Sequence, residues 1–334
     1  DNTSVTYDNG PYHRVWSDIA LSVFCQLNTT SHVFFFFHFG ALRYIILTFA
    51  LRNCENMNRI TAYIRQSLQE IYPPEEVKAL SMLICCDMLG LDALDIYMGK
   101  DIILSACKQR ELENIIFRLQ KNEPIQYIRG YAEFGGRNFR VAPGVLIPRP
   151  ETAELVSLIV KENPDARCLL DIGTGSGCIA ISLSKSLPGA RVDAWDISEE
   201  ALAIARKNNE ELDAQVTFCR QDVFSADGMQ SGSYDIIVSN PPYVTETEKR
   251  EMEANVLDWE PELALFVPDE DPLRFYRRIA ELGRELLRPD GKLYFEINQA
   301  YGQDMIRMIE MNQYRDVRVI KDIFGKDRIL TANR

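Results

Sequence analysis

Residues 168–177 read CLLDIGTGSG. The run to Ile172 is short and apolar apart from Asp171, as a buried strand is, and the three glycines that follow alternate with Thr174 and Ser176. These residues predict a strand, a tight turn of Gly173, Thr174, Gly175, Ser176 and Gly177, and a helix starting near Cys178. Backbone without side chains lets a ligand approach closely, and the start of a helix offers it unpaired N–H groups. The dinucleotide fingerprint G-x-G-x-x-G would need glycine where Cys178 stands, and a P-loop would need Gly-Lys followed by Ser or Thr. Neither a nicotinamide dinucleotide nor a nucleoside triphosphate is favoured.

Downstream, the short apolar runs VDAWD, VTFC, YDIIVS and KLYFEI alternate with helical stretches at 177–187, 198–211, near 272–288 and near 302–312. Such alternation predicts an α/β fold, a mostly parallel sheet with helices on both faces. The last runs, VRVI and RILTA, flank a turn at Gly325 and suit an antiparallel pair at the sheet edge. Upstream, residues 124–149 are rich in Gly, aromatic and β-branched residues, and Gly135-Gly136 between two strand-like runs predicts a hairpin. Before it, Ile60, Ile64, Leu68 and Ile71 recur at helical spacing. Pro73-Pro74 opens a second helix carrying Val77, Leu80, Ile84, Met88 and Leu91, and Leu112, Ile115, Ile116 and Leu119 mark a later one. Residues 57–123 therefore predict a small helical bundle, in which Cys85 and Cys86 are packing residues.

The full chain has 334 residues, 46% of them hydrophobic and 26% charged, enough apolar side chain for the cores of two domains. Its net charge of -12, from 37 basic and 49 acidic residues, disfavours a stable complex with nucleic acid, whose phosphates must be met by Lys and Arg. Eight cysteines without a C-x-x-C pair fit a reduced compartment, with the cytoplasm the expected location. All three histidines lie within residues 1–56, so no imidazole or histidine metal site serves the rest of the chain. That first segment lacks clean periodicity and holds the most apolar run, 33–51. As a membrane span, the run would have to offset a buried Arg costing roughly 2.5–3.5 kcal/mol. The preferred expectation is that 1–56 lies upstream of a natural start at Met57, with membrane contact arising only if 33–51 is an anchor.

Two more acidic residues give the glycine turn its meaning. Asp196 ends the second strand, where a carboxylate can accept both hydrogen bonds of a ribose diol, and Asp222 follows the third, where it can meet an adenine amino group with Val223 against the ring. Each residue taken alone also suits a helix cap or a solvated loop. The order DIGTGSG, Asp196, Asp222 and then a motif after the fourth strand resembles the class I methyltransferases, whose cofactor is S-adenosyl-L-methionine. That resemblance implies a Rossmann-like, mostly parallel seven-stranded sheet. It also implies cofactor contacts from Asp171, Gly173, Thr174, Gly175, Ser176, Gly177, Asp196, Asp222, Val223 and Asn240, with the loop behind the methionine half.

Asn240, Pro241, Pro242 and Tyr243 stand directly after YDIIVS. Asn-Pro also initiates ordinary turns. Beside a cofactor loop, however, the four residues can act together on a nitrogen whose lone pair is delocalised into an amide or an aromatic ring. The Asn240 side-chain oxygen and the Pro241 carbonyl can each accept one N–H, aim the lone pair and stabilise the positive charge that develops on nitrogen. The prolines stiffen that carbonyl, and Tyr243 can lie against the flat target.

Two blocks, PIQYIRG at 124–130 and LIPRPET at 146–152, together with the helical segment, DIGTGSG and SNPPY, resemble the HemK/PrmC family over Met57 to Arg334. The resemblance implies methyl transfer to the side-chain nitrogen (N5) of the glutamine in the Gly-Gly-Gln motif of class-one peptide chain release factors. It also implies four parts: an extension at 1–56 outside the family pattern, a substrate-recognition domain at 57–123, a hairpin linker at 124–149 and a methyltransferase domain at 150–334. Arg149 and Glu151 suit either an ion-paired linker or substrate contact, and Phe134 is a candidate cover for the methionine end of the cofactor. The alternatives left open are a ribosomal-protein glutamine methyltransferase, an amino methyltransferase of DNA or RNA, and a binding module without turnover. Asp196→Ala is expected to weaken S-adenosylmethionine binding roughly 10- to 100-fold by calorimetry, through loss of charge-assisted bonds to ribose. Unchanged affinity would remove Asp196 from the pocket.

Overall fold

A computed structural model describes residues 58–226 and 231–334. The segment 1–56 and its apolar run lie outside the described residues. Helix α1 (Arg59–Leu68) begins where the Asn58 side chain accepts the Ile60 N–H at 2.7 Å, and it buries Ile60, Ile64 and Leu68. Ile71, expected to continue that stripe, lies beyond the helix end and is 41% exposed. Helix α2 (Pro74–Met82) opens on proline and passes into a π-helical turn over Leu83–Met88. The widened turn alters the repeat, so Ile84, Cys85 and Leu89 are buried while Met88 and Leu91 pack only at the rim. Helices α3 (Ala93–Tyr97) and α4 (Ala106–Leu119), capped by Asp92 and Ser105, follow, and α4 contributes Leu112, Ile115, Ile116 and Leu119 to the same apolar cluster.

The stretch from Glu123 is not extended throughout. Helix α5 (Ile125–Arg129) forms one short turn between Pro124 and a left-handed Gly130, and only then does the hairpin of β1 (Tyr131–Phe134) and β2 (Arg137–Arg140) begin. Gly135 and Gly136, both at positive φ, make its two-residue turn. Tyr127, Ala132, Val141, Val145 and Ile147 join Ala201 in a small core, so the hairpin packs directly on the α/β unit.

That unit starts with α6 (Pro150–Glu162), then β3 (Cys168–Ile172), α7 (Cys178–Ser186), β4 (Arg191–Asp196), α8 (Glu199–Glu211), β5 (Val216–Arg220) and β6 (Tyr234–Ser239). After β6 come the short β7 (Val244–Thr245), α9 (Ala254–Leu257), α10 (Glu262–Leu265) and β8 (Phe266–Val267). Helix α11 (Arg274–Leu286), β9 (Leu287–Glu296), α12 (Gly302–Met311), β10 (Arg315–Lys321) and β11 (Asp327–Asn333) complete the chain. The seven-stranded sheet has the order β10-β11-β9-β6-β3-β4-β5, with β10 and β11 antiparallel and the other neighbours parallel from β9 to β5. Alternate residues serve opposite cores. Leu169, Ile236 and Val238 pack under α6 and α7, whereas Leu170, Ile237 and Leu293 pack under α11 and α12. Burial on both faces accounts for the uninterrupted apolar runs of these strands. The Rossmann-like, mostly parallel seven-stranded sheet, preceded by helices and a hairpin, is the arrangement that the sequence predicts.

The turn from β3 into α7 depends on Gly177, which has φ +82°. A Cβ placed there would stand 3.0 Å from Ile181 Cδ1 and 3.2 Å from Ala205 Cβ. Left-handed strain and crowding against α8 add, so Gly177→Ala is expected to cost about 2 kcal/mol or more. Urea denaturation measures it, and a midpoint equal to the parent's would contradict the strained turn.

Candidate active site

The glycine turn is held from below by the backbone of β4. Gly173 N and Thr174 N both donate to the Trp195 carbonyl, at 2.9 and 3.0 Å, and Gly177 N donates to Thr174 O at 2.8 Å. Thr174 Oγ1 donates to Asp171 Oδ2 at 2.7 Å, and the same oxygen accepts Ala180 N at 3.2 Å, tying strand, turn and helix together. Asp171 Oδ1 is buried and has no hydrogen-bond partner. The crest of the turn is open, because a Cβ built on Gly173 or Gly175 meets no atom within 4 Å.

Asp196 leans back onto this turn. Its Oδ2 accepts Gly175 N at 2.8 Å and its Oδ1 accepts Ser198 N at 2.9 Å. These backbone bonds fix the carboxylate and leave each oxygen a second lone pair for a diol. Asp222, after β5, accepts Phe224 N on Oδ1 at 2.9 Å, capping a short turn in which Val223 is buried. Asp222 is thus a cap, with a second oxygen left over.

Asn240 reaches the same end of the sheet because β6 lies beside β3. Ser239 is opposite Ile172, so Asn240 follows on one strand where Gly173 follows on the other. Its Nδ2 donates to Thr152 Oγ1 at 3.4 Å. No described residue donates to its Oδ1 or to the Pro241 carbonyl. Two adjacent acceptors, one held by a proline, are therefore unused. Half-buried Tyr243 donates its hydroxyl to Glu296 Oε1 at 3.1 Å. On one side of that ring lies a recess of about 210 Å³ that includes Glu248, Asn298 and Arg328.

Several residues that hold this arrangement have no evident role in the linear sequence. Thr152, at the start of α6, donates to Glu296 Oε2 at 2.6 Å. Asn208 of α8 donates to Ser176 O at 2.8 Å and to Arg140 O at 3.1 Å, and it accepts Arg140 N at 2.6 Å, which stitches the hairpin to the glycine turn. Glu260, buried between α9 and α10, accepts Ile147 N at 3.0 Å and forms an ion pair with Arg149. Arg149 is thus engaged within the chain. An acidic residue at the end of the apolar run KLYFE is the one available hint for Glu296, and nothing in the local sequence marks Asn208. Phe134 is 2% exposed and packs edge-on against Phe139 in the core that includes Cys178, so its ring belongs to the hairpin's packing.

Residues 151–257 match the Methyltransferase small domain and residues 60–130 the PrmC N-terminal domain. A release factor glutamine methyltransferase of Bacteroides thetaiotaomicron is 95% identical over 278 residues, 83% of this chain and 100% of the relative. The protein of that name in Flavobacterium psychrophilum is 42% identical over 273 residues, covering 80% and 95%. The one in Streptococcus pneumoniae is 45% identical over 224 residues, covering 66% and 79%.

The charges in the pocket are shaped by burial. Full burial raises the Asp171 carboxyl to about 7, against the hydrogen bonds from Thr174 and Ala180, and nearby Asp196 adds to the rise. Burial likewise raises Asp196, opposed by the N–H groups of Ser198 and Gly175. Because the folded Asp171 holds its proton more tightly than the unfolded chain does, its contribution is most favourable below about pH 4. It is lost as pH rises toward and past 7. Asp171→Asn carries no such proton. Its stability relative to the parent is expected to improve by on the order of 2 kcal/mol between about pH 5 and pH 8 in urea titrations. A difference independent of pH would mean that Asp171 is ionised throughout.

Proposed function

The chain belongs to the release factor glutamine methyltransferases, and from that premise we propose how its own residues perform the reaction. It transfers a methyl group from S-adenosylmethionine to the side-chain amide nitrogen of a release-factor glutamine; we assign the acceptor to the Gly-Gly-Gln motif of class-one factors. The observation that carries the mechanism is the pair of unused acceptors, Asn240 Oδ1 and Pro241 O, beside an open glycine turn.

The residues around the turn suit the cofactor. Asp171 offers an orphaned buried oxygen to a cationic group, the bare crest at Gly173 and Gly175 admits close approach, and Asp196 has lone pairs to spare for a ribose diol. Thr174, Ser176 and Gly177 shape that turn, while Asp222 and Val223 suit the adenine end. Bound S-adenosylmethionine supplies an electrophilic methyl group. Asn240 Oδ1 and the Pro241 carbonyl each accept one N–H of the glutamine carboxamide, which fixes the nitrogen and turns its lone pair toward the methyl carbon. The same two bonds strengthen as positive charge builds on nitrogen, and that difference between ground and transition state lowers the barrier. The proton leaves to water after transfer, so no histidine is needed. Pro242 stiffens the loop, and Tyr243, anchored by Glu296, forms the flat wall. The hairpin and the helices at 57–123 form the opposite wall, where the release-factor loop enters.

Among the described residues no helix is long and apolar enough to cross a membrane. We propose a cytoplasmic location, which the proposed substrate and the free cysteines among the described residues support. The test is to incubate the chain with methyl-labelled S-adenosylmethionine and, separately, with release factor, its Gly-Gly-Gln variant with Gln changed to Ala, ribosomal proteins and DNA. Label is expected in the release factor and not in the variant; label in ribosomal protein or DNA instead would replace the assigned acceptor. Asn240→Ala is expected to lower kcat roughly 100-fold or more, as loss of a preorganised transition-state contact does, with cofactor affinity retained. A near-parental rate would remove the clamp.

A further inference from the structure

Glu296 lies at the end of β9 and is 1% exposed. Its two oxygens have separate partners, Thr152 Oγ1 on Oε2 at 2.6 Å and the Tyr243 hydroxyl on Oε1 at 3.1 Å. Thr152 Oγ1 is also the atom that meets Asn240 Nδ2, at 3.4 Å. A threonine hydroxyl has one proton to give. With that proton directed at the Glu296 carboxylate, the oxygen can act toward Asn240 only as an acceptor. An acceptor selects the NH2 end of a carboxamide and leaves the carbonyl end facing the other way.

We infer that Glu296, acting through Thr152, is a positioning residue that decides which end of the Asn240 carboxamide is presented to the glutamine nitrogen. The inference rests on the clamp role of Asn240 proposed above. At 3.4 Å the Asn240 bond is long, so the selection comes from the sign of the partner more than from the strength of the contact. No described residue donates to Asn240 Oδ1, so nothing else nearby enforces the same choice. If Glu296 is protonated or replaced by an amide, one of its two oxygen positions carries a donor. Thr152 can then turn its proton toward Asn240, and the carboxamide flips to offer NH2 to a substrate that is itself an N–H donor.

Groups from several neighbouring elements bear on Glu296. Arg328 of β11, itself paired with Asp322, favours the carboxylate, as do the hydroxyls of Thr152 and Tyr243, while Glu151 of α6 opposes it. Tyr276 of α11 donates to the Glu296 backbone carbonyl at 3.0 Å, and Cys178 at the start of α7 senses the same charge. Burial is the largest influence and raises the Glu296 carboxyl above its ordinary value. Activity that depends on the ionised form is therefore lost as pH falls through that raised value.

The test compares Glu296→Gln, Thr152→Val and Thr152→Ser in the full chain, with Asn240→Ala as reference. It measures kcat/KM for release factor against pH, and S-adenosylmethionine affinity by calorimetry. Glu296→Gln and Thr152→Val are expected to lose roughly 10- to 100-fold in kcat/KM, as loss of a charge-assisted hydrogen-bond chain does, while Thr152→Ser, which keeps the hydroxyl, stays within about threefold. Cofactor affinity of Glu296→Gln should stay within about threefold of the parent, and the acid limb of its rate profile should shift or vanish. Parental rates in Glu296→Gln and Thr152→Val, with Asn240→Ala inactive, would overturn the inference and leave the clamp standing; an active Asn240→Ala would remove the clamp itself. Equal losses in Thr152→Ser and Thr152→Val would trace the effect to packing. If Glu296→Gln fails to fold, the Thr152 pair decides alone.

Discussion

Ser239 sits opposite Ile172 in the parallel ladder of β6 and β3, and its buried hydroxyl donates to the Ile172 carbonyl at 2.6 Å. Everything chemical in the molecule depends on this register. It brings two chain segments out of the sheet side by side, one as the glycine turn and the other as Asn240 and its prolines. A slip of one residue would exchange the two faces of β6, sending Ile237 into the core under α7 and turning Asn240 away from the turn. Apolar packing on both faces of the sheet sets that register, so the geometry of the polar site follows from hydrophobic burial.

Around this junction the protein assembles a buried polar chain whose members come from distant elements. Glu296 at the end of β9, Thr152 at the start of α6 and Tyr243 beyond β6 share hydrogen bonds. A carboxylate in such a place is unfavourable unless each oxygen is satisfied. Here the two hydroxyls do so, with Arg328 nearby. Glu260 plays a comparable part further out. It binds the backbone of Ile147 and the side chain of Arg149, and neighbouring Trp259 donates to Lys121 O at 3.0 Å. Helical bundle, hairpin and post-clamp segment thus meet at one acidic residue and one indole.

What the sequence reveals and what it hides divide along physical lines. CLLDI and YDIIVS are legible because strands buried on both faces must be apolar throughout, and the glycine turn because left-handed backbone beside a helix start excludes most side chains. The π-helical turn at Leu83–Met88 is not legible, since apolar spacing alone fits an α-helix nearly as well. Ile125–Arg129 turns helical inside a β-branched stretch because Pro124 and Gly130 bracket a single turn. Asn240 and Tyr243 stand out as a contiguous motif. Thr152, Asn208, Glu260 and Glu296 do not, because each acquires its role from a partner between 32 and 144 positions away. Position in a linear chain carries no trace of such pairings.

The sheet order has a consequence for how the protein is made. Strand β9 lies between β6 and β11, yet it is synthesised long after β3, and Glu296 follows Thr152 by 144 positions. A ribosome extruding the chain delivers the glycine turn early and the partner of Thr152 late, and long-range pairings of this kind form slowly because loop closure must come first. Competence therefore arises only once the carboxyl-terminal strands have emerged and docked. A protein that modifies the machinery of chain release thus completes its own site long after its glycine turn has been made.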